Sequence, residues 1–159
     1  MHPMVADALV RDRGARGGAT PLTGITGALA NTRLFSLCSR KELRTVAKVA
    51  KIKTVPKGTR LMSEGDEGDT MFVILSGVAR VTRKGRKVAA LSAGDAVGEL
   101  AVLGRCKRNA TVDADSDLEV AEISRRSLSR LINDVPSFSL KLLESMATRV
   151  RELDSRLYP

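Results

Sequence analysis

The chain has 159 residues, a formal net charge of +9, 43% hydrophobic residues and only 3% aromatics. That length holds one ordinary domain able to fold alone, and the composition excludes a base-stacking surface in favour of an aliphatic core. No apolar run approaches the roughly 20 residues that span a bilayer, and no charged start with an apolar stretch marks a secretory signal, so a cytoplasmic protein without a membrane partner is expected.

In chain order, residues 1–27 combine Gly14, Gly17, Gly18, Pro21, Gly24 and Gly27 with scattered charge. This resists both helix and strand periodicity and reads as a flexible arm, leaving residues 28–159 as the folded domain. His2, the only histidine, falls in the arm, which removes Ser-His and Cys-His catalysis. Cys38 and Cys106 lack the spacing of a metal site or a disulfide framework. No enzymatic activity, metal or cofactor is expected.

Ser39 followed by Glu42 is a capping box, and Leu43, Val46, Ala47 and Ala50 then recur at helical spacing. Strand-like runs come next at 52–55, 60–62, 70–75, 78–82 and 87–91, separated by turns such as Lys84-Gly85-Arg86. In the run from Val78, Ala79 and Val81 share one face while Val78, Arg80 and Thr82 share the other.

The segment Gly98-Glu99-Leu100-Ala101-Val102-Leu103, with Arg108-Asn109-Ala110-Thr111-Val112 after a short spacer, carries the chemistry. A helix opening near Glu99 leaves the amides of Leu100 and Ala101 to receive a phosphate, and Gly98 lets a ligand approach the backbone. Arg108 offers a planar fork that matches two phosphate oxygens. A carboxylate beside a phosphate is repulsive unless it accepts hydrogen bonds from a neutral group, and a ribose hydroxyl suits Glu99. Small Ala101 and Ala110 leave room between the two sides.

Further strands are expected at 110–112 and 118–123. Many short strands with turn residues between them suggest a sandwich or jelly roll. Ser124 caps a helix over 125–132, and Pro136 opens another toward Leu157. In that last helix Leu143, Met146, Val150, Leu153 and Leu157 form an apolar seam, for which a homodimer contact and packing against the domain's own barrel are equal expectations.

Together, the glycine-backed Glu99 and the Arg-x-Ala-Thr at Arg108 resemble the phosphate-binding cassette of the cyclic-nucleotide-binding domain family. The resemblance extends upstream to Glu64-Gly65-Asp66-Glu67-Gly68-Asp69-Thr70-Met71-Phe72-Val73-Ile74-Leu75-Ser76-Gly77 and covers about residues 34–153. It implies a mainly β jelly-roll barrel with flanking helices, binding cAMP or cGMP, with Glu99 on the ribose 2'-hydroxyl and Arg108 on the cyclic phosphate. Val97 stands where the family has Phe, and Lys107 where it has Pro; neither supplies a polar contact. Asn109 stands where the family often has Ala, Ser or Thr, and an amide serves either purine, so cAMP is favoured by family frequency only. Val81 and Ala89 are carried over by position as base-pocket residues. Leu153, Leu157 and Tyr158 are candidates to cap the purine, with no spacing to select among them.

The cations are spread over several segments and read mainly as solvated faces. No helix-turn-helix segment follows the cassette domain, so DNA binding by this chain alone is disfavoured. The reading is a stand-alone regulatory module that binds a cyclic nucleotide and signals through its C-terminal helices to an unknown effector. A ligand-free scaffold of the same fold and a basic nucleic-acid-binding protein are the alternatives.

Overall fold

The short apolar runs fold into two four-stranded antiparallel sheets in a computed structural model that describes residues 22–158. One sheet has the order β1 (Lys51–Val55), β8 (Leu118–Ser124), β3 (Thr70–Ser76) and β6 (Ala96–Val97). The other has the order β2 (Arg60–Met62), β7 (Thr111–Ala114), β4 (Ala79–Arg83) and β5 (Arg86–Leu91). This is the mainly β, jelly-roll-type arrangement expected, with helices on one side.

Two apolar layers explain the strand patterns. Between the sheets lie Val55, Phe72, Ile74, Ala79, Val81, Leu91, Val112, Leu118 and Val120. On the far side of the first sheet, Met71, Val73, Leu75, Ala121 and Ile123 pack against the helices. β3 is therefore buried on both faces, which is why its run from Met71 to Ser76 lacks alternation. β4 has one wet face: Ala79 and Val81 point inward and Arg80 is exposed, as its alternation predicted. A register shift against β5 after Val81 interrupts the pattern at Thr82.

The helical layer comprises α1 (Leu22–Ala30), α2 (Arg40–Val49), α4 (Arg125–Asp134) and α5 (Pro136–Leu157), with the short α3 (Glu99–Leu103) at the sheet edge. α1 corrects the expected arm boundary. Although Gly24 and Gly27 weaken helix propensity, Ile25 and Leu29 are buried against the first sheet, and tertiary packing decides the conformation. Residues 1–21, the rest of the expected arm, lie outside the described residues.

The predicted caps are formed. Ser39 Oγ accepts from the Glu42 amide at 3.2 Å, and the Glu42 carboxylate accepts from the Ser39 amide at 2.8 Å. Ser124 Oγ accepts from the Ser127 amide at 3.1 Å at the start of α4. Glu42 also ties α2 to α5, through an ion pair with Lys141 and a hydrogen bond donated by Ser137 Oγ at 3.2 Å. Burial opposes ionisation of Glu42 but is outweighed by the bonds from Lys141 and Ser39, so its pKa falls from 4.5 to about 2. A depressed pKa contributes stability that is present above pH 4.5 and lost as pH falls toward 2. Glu42→Gln is expected to remove this pH-dependent part, about 3 kcal/mol for the shift from 4.5 to about 2. Urea unfolding across this window reads it; parent and variant losing stability in parallel would contradict it.

α5 has two dissimilar faces. Phe138, Leu142, Ser145 and Arg149 turn inward, and Met146 packs beside them on the helical core. Leu143, Val150 and Leu157 are 64–73% exposed, so most of the predicted seam does not pack on the barrel.

Candidate ligand-binding site

The cassette is held against the β2–β3 connection by backbone and side chain together. The Arg108 amide donates to the Asp66 carbonyl at 2.7 Å, its carbonyl accepts from the Gly65 amide at 2.8 Å, and Glu67 and Lys107 form a β-bridge. These bonds fix the backbone at Lys107, where the family's proline is missing. Val97, the other departure, is buried between the sheets and pairs with Phe72.

The Arg108 side chain is buried rather than splayed into solvent. Nη1 donates to the Thr70 carbonyl at 2.6 Å and Nη2 to Thr70 Oγ1 at 2.9 Å. A guanidinium carries five N–H donors, so three remain beyond those given to Thr70. Burial lowers its pKa below the usual guanidinium range, opposed by the charges of Asp69 and Cys106. Two glycines make the space. A methyl at Gly68 would sit 2.6 Å from Cζ, and one at Gly98 would sit 2.8 Å from both Nη1 and the Thr70 carbonyl. Gly98 also has φ +90°, a conformation that side chains rarely adopt.

Glu99 opens α3 and is half-buried as a residue. Burial raises its carboxyl pKa, opposed by its own backbone amide and by the charges of Arg149 and Arg33. Arg149, on the inward face of α5, is 3% exposed. Glu152 accepts from Arg33 at 2.5 Å and lies 3.8 Å from Arg149, so the acid at the cassette and the C-terminal helix share one charged cluster.

One cleft brings these groups together. Of the expected residues, Gly98, Glu99, Leu100, Ala101, Arg108, Asn109 and Val81 line it. Ala89 and Ala110 do not; both are buried in the inter-sheet core beside it. The Ala101 amide, expected to meet a phosphate, already donates to the Gly98 carbonyl at 3.2 Å. Met62, Leu91, Ala96 and Val97 add an aliphatic wall, while Cys106 and Lys107 add a rim. Leu153, Leu157 and Tyr158 are not among the lining residues, and the last two are more than 70% exposed at the end of α5.

Sequence reasoning missed Gly68, Thr70 and Arg149. Gly68 and Thr70 sit inside the glycine-marked motif, but nothing in their spacing shows that they face Arg108. For Arg149 the signal was present: a cation continuing the inward row from Phe138, Leu142 and Ser145.

An aliphatic cleft with a buried cationic fork at one end and a half-buried acid beside it has chemistry for a small anion carrying hydroxyls and an apolar face. Comparison with known proteins agrees. The chain is 35% identical over 111 residues to the cAMP-dependent protein kinase regulatory subunit of Yarrowia lipolytica, covering 69% of this chain and 30% of that relative's length. The N-terminal domain of a transcriptional regulator from Streptomyces coelicolor A3(2) shares the fold, with TM-score 0.75 and 24% identity over 80% of this chain and 95% of that one. The regulatory domain of Toxoplasma gondii PKA, co-crystallised with cAMP, has TM-score 0.66 and 28% identity over 75% of this chain and 47% of that one. Residues 52–135 match the cyclic nucleotide-binding domain, and the chain belongs to that family.

Proposed function

We propose that this chain is a non-catalytic regulatory module of the cytoplasm that binds a cyclic nucleotide, cAMP in preference to cGMP, in the cleft between Val81 and Arg108. The observation that carries the reading is the buried guanidinium of Arg108, preset by Thr70 and the two glycines, with donors left for a phosphate. In this reading Arg108 takes the cyclic phosphate with the Leu100 amide beside it. Glu99 takes the ribose 2'-hydroxyl, Ala101 and Ala110 keep the approach clear, and Val81, with Ala89 behind it, faces the base. Asn109 meets the purine edge. The preference for cAMP rests on the frequency of adenine binders in the family.

Signalling in this reading runs through Glu99. A ribose hydroxyl on its carboxylate alters the field that Arg149 and Arg33 feel, and Arg149 belongs to α5. The nucleotide moves α5 only by as much as it binds one helix arrangement better than the other. The exposed residues Leu143, Val150 and Leu157 recur every seven positions and are read as a seam for a second copy, with an effector protein downstream.

Titration tests the ribose contact. Glu99→Ala is expected to weaken cAMP by roughly ten- to 150-fold, the range for a hydrogen bond to a charged acceptor, and to leave 2'-deoxy-cAMP nearly unchanged. Equal losses for both ligands would contradict the ribose role.

A further inference from the structure

The net charge of +9 is not spread evenly. On α2, Arg40, Lys41, Arg44 and Lys48 are all exposed, and at 3.6 residues per turn they fall within roughly 100° of the helix circumference. No carboxylate on the helix offsets them, because its only acid, Glu42, is turned inward onto Lys141 and Ser137. α4 packs alongside, with Leu131 and Val135 facing Thr45 and Val46, and it adds exposed Arg126 and Arg130 one turn apart.

Large apolar side chains stand exposed at both ends of the same helix. Leu37, two residues before the capping serine, is 47% exposed, and Ile52, three residues past the helix end, is 43% exposed. Ile52 lies on the helix-covered face of the first sheet, because its register partner Ala121 packs in the helical core, while Val55, of opposite parity on the same strand, turns into the inter-sheet core. The other large exposed hydrophobics among the described residues are all on α5 or just beyond its end.

We propose that the α2–α4 face is a docking surface for an anionic lipid bilayer, with the six cations meeting headgroup phosphates and carboxylates, and Leu37 and Ile52 entering the headgroup boundary. Charge complementarity selects a polyanion. The flanking aliphatics select lipid over nucleic acid, since they suit the headgroup–acyl boundary and have no role against a sugar-phosphate backbone. Attachment is peripheral: among the described residues no helix is long and apolar enough to cross a membrane.

Co-sedimentation of the full chain with vesicles tests this. Binding is expected to phosphatidylcholine vesicles containing about 30 mol% phosphatidylserine and not to pure phosphatidylcholine, and to fall as salt rises. Each cation removed is expected to weaken partitioning about fivefold, so the double change Arg44→Ala with Lys48→Ala loses about 25-fold. Arg126→Ala with Arg130→Ala gives an independent reading from the neighbouring helix. Leu37→Ser with Ile52→Ser is expected to weaken binding while leaving its salt dependence intact. Equal partitioning into both kinds of vesicle, or unchanged binding by both cation variants, would overturn the proposal. So would retention on duplex DNA without retention on the acidic vesicles.

Discussion

Arg108→Ala is expected to weaken cyclic nucleotide binding by about 2–5 kcal/mol, roughly thirtyfold to several thousandfold, because the phosphate loses a buried, charged hydrogen-bonding partner. The loss is expected in affinity and not in folding. The Arg108 backbone stays anchored through Asp66 and Gly65 whatever its side chain, and the Glu67–Lys107 bridge remains. Thr70 loses two donors, but its Oγ1 is on a half-buried residue that water reaches. Arg108→Lys is expected to fall between parent and Ala, since lysine restores charge without the fork. Calorimetric titration with thermal melts of the same samples checks this. An Arg108→Ala protein that melts normally and binds as tightly as the parent would remove the phosphate from this site.

Phe138→Ala is expected to cost about 3–5 kcal/mol of stability, the range for deleting a buried aromatic and leaving a cavity. Phe138 is 2% exposed and Phe35 fully buried, and their rings stack with centroids 6.1 Å apart at 13°. Phe138 also lies in the first turn of α5, and with Glu42–Lys141 it fastens that helix where it begins. Removing it is expected to loosen α5 along its length as well as the core. Urea unfolding monitored by circular dichroism reads the first effect, and hydrogen exchange along α5 the second. A loss below about 1 kcal/mol would mean the site collapses around the missing ring and α5 is held elsewhere.

The parts of the fold legible in the sequence are those with local causes. Ser39 with Glu42, Ser124 and Pro136 mark helix starts through bonds made within a few residues, and all three helices begin there. The alternation of Ala79 and Val81 against Arg80 gave the faces of β4. α1 was illegible because its two glycines argue against a helix, while the burial of Ile25 and Leu29 that stabilises it depends on a sheet formed much later in the chain. The C-terminal seam was half legible. The spacing of Leu143, Val150 and Leu157 identified one face, but only packing reveals that Met146 belongs to the core and that Arg149 turns inward.

The cleft divides the same way. Gly98, Glu99 and Arg108 are readable as residue types at a spacing, whereas the contacts that make Arg108 ready come from elsewhere. Thr70 lies 38 residues upstream in sequence, and Gly68 matters only because the guanidinium occupies the place its side chain would take. Arg149, 50 positions beyond Glu99 in the sequence, links the acid to α5. Long-range placement of this kind leaves no periodic trace.

The most direct measurement is calorimetric titration of the unmodified chain with cAMP and cGMP side by side. The proposal predicts saturable binding at one site per chain, tighter for cAMP, and abolished or strongly weakened by Arg108→Ala. Absence of heat and of any thermal shift with either nucleotide in excess would contradict it and leave a scaffold that keeps the fold without the ligand.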